Sequence, residues 1–402
     1  MSMDSVVAQQ QAAREQAQTL VWPGHRSEHF RNLPPPALER WIGAGDAQSV
    51  GGDGWTLRET RHPGVSVRHL SALDPRERAE LFADLPAPGE DRAAPFAWAH
   101  RALCTGGLRL QVAAGDAPTV LHLNHAASGA VQAPLLVLHV QAGARLVLLE
   151  HHDLAGDGAG VTQNLVAHIH CAAGAQVQHL RVVTPGGADR VAHHVHVTLD
   201  ENAHYAQALA ATGGGYHLQR NTVELRERGA ESRHAALVLT AGQALDYQMY
   251  GNLAAPRTRH QVESLTLASG KAHTVANAYA RIAPGSNEAD VHQRLVGIAV
   301  DGRPRMQLRP HLEILHDAVQ AVHGATWGAL PEDALFYARQ RGLDEATARS
   351  LIVEGMARAV LGRCLGETLE DAASPLTQWL EGPWLHEAIT RQWGLIGGAV
   401  HG

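Results

Sequence analysis

From about Leu108 onward, apolar and polar residues alternate in short stretches. In HHVHVTL, Val195, Val197 and Leu199 fall on one side and His194, His196 and Thr198 on the other, which is the period of an extended strand. Leu135–Val140, Arg145–Leu149, Val177–Val183, Tyr216–Leu225, Val262–Leu267, His273–Ile282 and Met306–Leu315 read the same way. A turn dipeptide precedes several of these stretches: Gly143-Ala144, Gly174-Ala175, Asn202-Ala203 and Gly229-Ala230, recurring every 27 to 31 residues. Gly and Asn suit corners that need positive φ, and small Ala and Val suit stacked inward positions. A repeat of this length predicts a solenoid whose rungs bury their inward faces only by stacking. The predicted fold is mainly β, a parallel β-helix; a β-sandwich with chance spacing is the alternative.

The flanks lose the two-residue period. Residues 4–20 predict a modestly amphipathic helix, Ala37–Trp41 a short one, and Asp74–Asp84 another that starts at Asp-Pro. The Pro-rich residues 85–97 read as loop. Beyond Trp327 the pattern is helical. One helix opens at Pro331-Glu332-Asp333 and stops at Gly342. A second is capped by Asp344 and has an apolar face of Ala348, Leu351, Ile352, Met356, Ala359 and Val360. Three parts are expected: an N-terminal mixed and helical region over 1–105, the β-helix core over 106–327, and a C-terminal helical domain over 328–402.

Composition narrows the function. Aromatics make up 4% of the chain and there are 40 Gly, which favours many short strands with tight corners. The net charge of −7 and the lack of a basic block argue against nucleic acid. Three widely spaced cysteines, Cys104, Cys171 and Cys364, give no zinc ribbon and fit a reducing compartment. The first twenty residues do not read as a signal peptide, and no apolar run is long enough to span a membrane. The expectation is a soluble, cytoplasmic protein. Gly213-Gly214-Gly215 lacks the Lys-Ser/Thr of a phosphate loop, and the sequence has no Walker motif and no GxSxG elbow.

The segment 309–342, RPHLEILHDAVQAVHGATWGALPEDALFYARQRG, carries a specific signature. Arg309, Pro310, Leu312, Glu313 and Ile314 lead through Asp317 into His323, Gly324, Ala325, Thr326 and Gly328. Leu330, Leu335, Phe336, Tyr337, Arg341 and Gly342 follow. This resembles the SufB/SufD family of iron–sulfur cluster assembly proteins. Arg26, Glu28, Phe30 and Arg31 resemble a worn N-terminal element of the D-type members; His260, Gly270, Lys271 and Ala272 resemble a central one.

The resemblance implies a right-handed parallel β-helix with an N-terminal helical region and a C-terminal helical domain. It also implies a non-catalytic scaffold subunit. Such a subunit pairs with a SufB-type subunit through the β-helix and binds a SufC-type ATPase through the helical domain. A transient iron–sulfur cluster would form in that complex, with none tightly bound to this chain alone. The D-type is favoured because the chain lacks many cysteines. Where many relatives have a Cys two residues before the HGAT histidine, this chain has Ala321.

His323 is therefore the candidate iron or cluster ligand, since a neutral imidazole replaces thiolate in some cluster sites. Glu313 and Asp317, with Glu263, Glu288 and Asp290 nearby, are weaker candidates for assisting iron entry through hard oxygen ligands. Phe336, Tyr337, Arg339 and Arg341 are candidate partner contacts, being residue types favoured at interfaces. His168-x-His170 and His194-x-His196, with His151-His152 and His193-His194, read as surface histidines, although their spacing can chelate a metal. Rival readings are a His-rich metal-binding protein and a β-helix carbohydrate-active enzyme. The latter would need paired carboxylates along an outer groove, and none stands at a fixed offset. A homodimer through a β-helix edge is plausible for the isolated chain.

Overall fold

A computed structural model describes residues 3–43, 53–58, 62–86, 88, 94–127, 130–152, 160–365 and 375–397. Its centre is a parallel β-solenoid of about eight turns. Each turn gives one strand to each of two sheets. The first sheet stacks Gly107–Val112, Leu135–Val140, Thr162–Cys171, Arg190–Leu199, Tyr216–Leu225, Ala244–Leu253, His273–Ile282 and Arg305–Ile314. The second stacks Thr119–His125, Arg145–His152, Gln176–Val183, His204–Thr212, Glu231–Ala241, Arg259–Gly270, Asp290–Gly302 and Gln320–Gly328.

The corner dipeptides do what their chemistry suggests. Gly143, Gly174, Asn202 and Gly229 all have positive φ, between 52° and 71°. Each N–H donates to the next turn: Gly174 to the Glu201 carbonyl at 2.8 Å and Asn202 to that of Arg228 at 3.0 Å. The alanines that follow, Ala144, Ala175, Ala203 and Ala230, are fully buried because only a methyl fits the inside of the corner. Two further corners escape the sequence pattern. Arg257 and Glu288 also have positive φ, and their side chains pair with each other at 3.0 Å. A non-glycine residue in this region costs on the order of 1 kcal/mol.

The inward alternation makes the core. Val195, Val197 and Leu199 face Leu146, Leu148, Val177 and Leu209 from the opposite sheet. The outer faces are covered too. Ala208, Ala235, Leu237 and Leu265 of the second sheet pack under Val353, Ala357, Val360 and Leu361 of the helix Glu345–Leu365. Phe30, Trp41 and Phe96 cover Ala192, Leu218 and Val275 of the first sheet.

Several expectations need correction. The residues read as loop over 85–97 run into a helix, Ala94–Leu103, in which Pro95 sits in the first turn, where it removes no intrahelical hydrogen bond. In Glu345–Leu365 the buried face holds Val353, Ala357 and Leu361, whereas Leu351 is half exposed. The helix after the solenoid is found where expected, over Glu332–Gln340 between Pro331 and Gly342. The remaining flanking expectations match closely. Met3–Thr19 and Glu39–Ile42 are helical. Pro75–Asp84 carries a full capping box between Asp74 and Glu77. Asp344 caps the second C-terminal helix, accepting from the Thr347 N–H at 2.9 Å.

Candidate functional site

The two ends of the solenoid differ. At its start, the short strands Trp55–Leu57 and Val65–His69 pair antiparallel with Thr119–His125 and Gly107–Val112 and cover both sheet edges. At its finish, Arg305–Ile314 and Gln320–Gly328 are the outermost strands of the two sheets. Leu312, Val319, Ala321 and Ala325 pack on the core from this end but stay only partly buried. Val322 and Trp327 are exposed, at 58% and 59%. A row of unpaired strand groups with apolar side chains around it is a template for another strand.

His323 lies on the last strand, in register with Gln293, and is exposed. It borders a cleft of 610 Å³ whose walls also include Gln293, Arg294, Glu263, Arg363 and Cys364. The carboxylates singled out beside it are already engaged. Glu263 bonds Arg294 at 3.2 Å and Arg363 at 2.6 Å. Glu288 pairs with Arg257, Asp290 with Arg259 and His292, and Glu313 with Arg281 at 3.3 Å. Asp317, in the exposed turn between the last two strands, forms no ion pair among the described residues. The arginines make the cleft cationic, so its carboxylates are poorly placed to attract a free metal cation.

Phe336 and Tyr337 are exposed, at 63% and 59%, while Leu335 is tucked against the helical cluster. The Arg341 guanidinium lies 3.4 Å over the Tyr337 ring, and Arg339 is exposed on the same short helix. These residues form an amphipathic surface with nothing packed on it among the described residues.

Sequence reasoning missed an interior polar network. His152 and His193, expected at the surface, are buried inside the solenoid, and His194 is buried beneath Phe96. His152 Nε2 donates to Glu150 at 2.6 Å and His179 Nε2 donates to it at 2.9 Å. Trp55 Nε1 donates to the same carboxylate at 3.1 Å. Arg181, fully buried, reaches Glu150 at 3.4 Å, His193 Nδ1 at 2.6 Å and Gln219 Oε1 at 3.0 Å. Gln219 in turn donates to His217, and His217 donates to the Thr212 carbonyl at 2.6 Å. Burial alone would raise the Glu150 pKa, but the Arg181 charge and the two imidazole donors hold it well below the usual carboxylate range. Burial pushes the pKa of His152, His179 and His193 down from the ordinary imidazole value, although Glu150 pulls each of them back up.

Ligand atoms of Glu150, His152 and His193 lie within 4.8 Å of one another, close enough for a metal. The guanidinium of Arg181 stands between Glu150 and His193, so the cation that this cage accommodates is the arginine. The outward histidines stack on neighbouring turns instead of converging. His168 lies over His196 at 5.0 Å and His139 over His170 at 4.9 Å, with His170 bound to Asp200 at 2.7 Å.

Residues 122–356 match the family described as SUF system FeS cluster assembly, SufBD core domain, which is more than half of the chain. The chain belongs to the SufBD family. It is 23% identical over 259 residues to the iron–sulfur cluster assembly protein SufD of Escherichia coli, covering 59% of each chain. It is 24% identical over 203 residues to an iron–sulfur cluster assembly SufBD family protein of Synechocystis, covering 49% of this chain and 44% of that one. A chloroplastic protein of Arabidopsis matches 44% of this chain at 24% identity. The chain thus spans about half the length of the curated relatives it matches. The matched span contains His323, Glu313, Asp317 and Phe336–Arg341, and also the interior network apart from Trp55. Among the described residues no helix is long and apolar enough to cross a membrane.

Proposed function

We propose that this chain is a non-catalytic subunit of an iron–sulfur cluster assembly scaffold. In this reading the open end of the solenoid joins a SufB-type subunit, and the C-terminal helices hold a SufC-type ATPase. The observation that carries the reading is the asymmetry of the solenoid. One end is covered by antiparallel strands and the other ends on two outermost strands with a partly apolar rim. Phe336, Tyr337 and Arg339, exposed on the helix Glu332–Gln340, and Arg341 just past its end support a second contact. ATP hydrolysis would come from the partner, since the sequence has no Walker motif.

His323 sits on the rim, where the two subunits would meet, and would offer an imidazole to iron or to a nascent cluster. The nearby carboxylates are held by arginines, so iron entry through this subunit would depend on His323 and Asp317 more than on Glu313 or Glu263. In the absence of a SufB-type subunit, the same open end would pair with a second copy of the chain. The test is capture from the native extract, with light scattering on the eluted complex. Defined co-elution with SufB- and SufC-type subunits supports the reading; a chain that elutes alone and ignores both contradicts it.

A further inference from the structure

The N-terminal region holds a cavity that an assembly role leaves unused. It lies between the helices Met3–Thr19, Pro75–Asp84 and Ala94–Leu103 and has a volume of about 490 Å³. That size is typical of small-molecule sites. Ala13, Ala79, Phe82 and Trp98 supply apolar wall, and Arg78 and Arg101 supply charge.

Among the described residues the charge on these walls is unbalanced. Arg78 is only 7% exposed, and its guanidinium donates to the main-chain carbonyls of Cys104 and Thr105. Arg101 donates to the Pro86 carbonyl at 3.3 Å, and burial lowers its pKa. Neither forms an ion pair with a carboxylate among the described residues. Both guanidiniums converge on one ring, 5.0 Å and 5.8 Å from the centre of Phe82, and Arg101 also lies 5.6 Å from Trp98.

Carbonyls at the end of a helix offer only partial negative charge. Aromatic faces attract cations, but they do not neutralise two of them. A buried charge ordinarily has a full counter-charge beside it. Among the described residues the walls do not supply one for the buried Arg78, and a ligand would.

We propose that this cavity binds an organic anion. Its carboxylate, sulfonate or phosphate group would lie between Arg78 and Arg101, and its flat apolar body against Phe82 and Trp98.

The full chain would be titrated with 1-anilinonaphthalene-8-sulfonate and, separately, with the uncharged N-phenyl-1-naphthylamine, following dye fluorescence. The expected result is saturable one-to-one binding of the sulfonate, about tenfold or more tighter than the neutral dye, the margin of one well-placed charge contact. Arg101→Gln, at a part-exposed position, should keep the thermal unfolding midpoint and bring the sulfonate down to the affinity of the neutral dye. Trp98→Leu should weaken both dyes. Equal affinity for the two dyes, or a sulfonate affinity unchanged in Arg101→Gln, would overturn the proposal and leave the arginines as helix-end donors only.

Discussion

Arg181 and His193 come from opposite sheets and meet inside the solenoid, with the guanidinium 2.6 Å from Nδ1 of the imidazole. The contact ties the two sheets together through polar groups at a level where most turns use Val and Leu. It also fixes a tautomer: because Arg181 only donates, His193 accepts through Nδ1 and carries its proton on Nε2. Glu150 completes the arrangement as the counter-charge.

Removing one member of this buried pair should be severe. Arg181→Met leaves the Glu150 carboxylate buried without its cation and should destabilise the chain by about 3–5 kcal/mol. Arg181→Met combined with Glu150→Gln should cost less than the sum of the two single changes. Urea unfolding followed by circular dichroism checks both; additive losses would mean that the two residues act independently.

Acid should unfold the protein early. Burial pushes His100, His217 and His260 down to about 4 and His125 to about 3, against an ordinary value of 6.5. Between those values the unfolded chain binds protons that the fold refuses. Stability is therefore fully present above about pH 6.5 and falls as the pH drops toward 4. The slope is about 1.4 kcal/mol per pH unit for each such imidazole. Urea midpoints measured between pH 7.5 and pH 5 should fall steeply, and a flat profile would show that these imidazoles are not held neutral.

His323→Ala should leave folding intact, because the side chain is exposed on the last strand. It should lower the yield of reconstituted cluster in the assembled complex by about tenfold, the low end of the loss seen when even an outer partner of a metal ligand is removed. The check is the cluster absorbance per complex, at equal complex abundance. Unchanged yield would remove His323 from the chemistry.

The aromatic pair on the first C-terminal helix should matter for association and not for stability. Phe336→Ala with Tyr337→Ala should weaken capture of the SufC-type ATPase by roughly thirtyfold, the equivalent of about 2 kcal/mol at an interface hot spot. Calorimetric titration measures the affinity, and a thermal scan should show the same unfolding midpoint as the parent chain.

Much of this architecture could be read from the residues, and the exceptions have physical causes. The corners at Gly143, Gly174, Asn202 and Gly229 announce themselves because positive φ selects Gly and Asn. The corners at Arg257 and Glu288 stay hidden because ordinary residues occupy the same conformation there and add an ion pair across the turn. His194, His196 and Thr198 do face outward as the alternation requires, yet His194 is buried because Phe96 covers it. His193, on the inward side with Val195, is invisible to a pattern that sends every polar residue to solvent. Its burial follows from Arg181 and Glu150, which reach it only once the turns are stacked. Pro95 hides a helix because a proline in a first turn looks, in sequence, like any other breaker. At the rim, the signature from Arg309 to Gly342 places His323, but it does not reveal that arginines from three elements hold the neighbouring carboxylates.

In the proposed function the open end of the solenoid is the surface that joins a SufB-type subunit. Val322 and Trp327 are exposed on the last strand, so Val322→Lys with Trp327→Lys should leave the fold unchanged while placing charge along the edge. The measurement is the mass of the complex by light scattering after mixing with SufB- and SufC-type subunits. This variant should still capture the SufC-type ATPase and no longer bind the SufB-type subunit. A variant that assembles with both as the parent chain does would contradict this role of the open end.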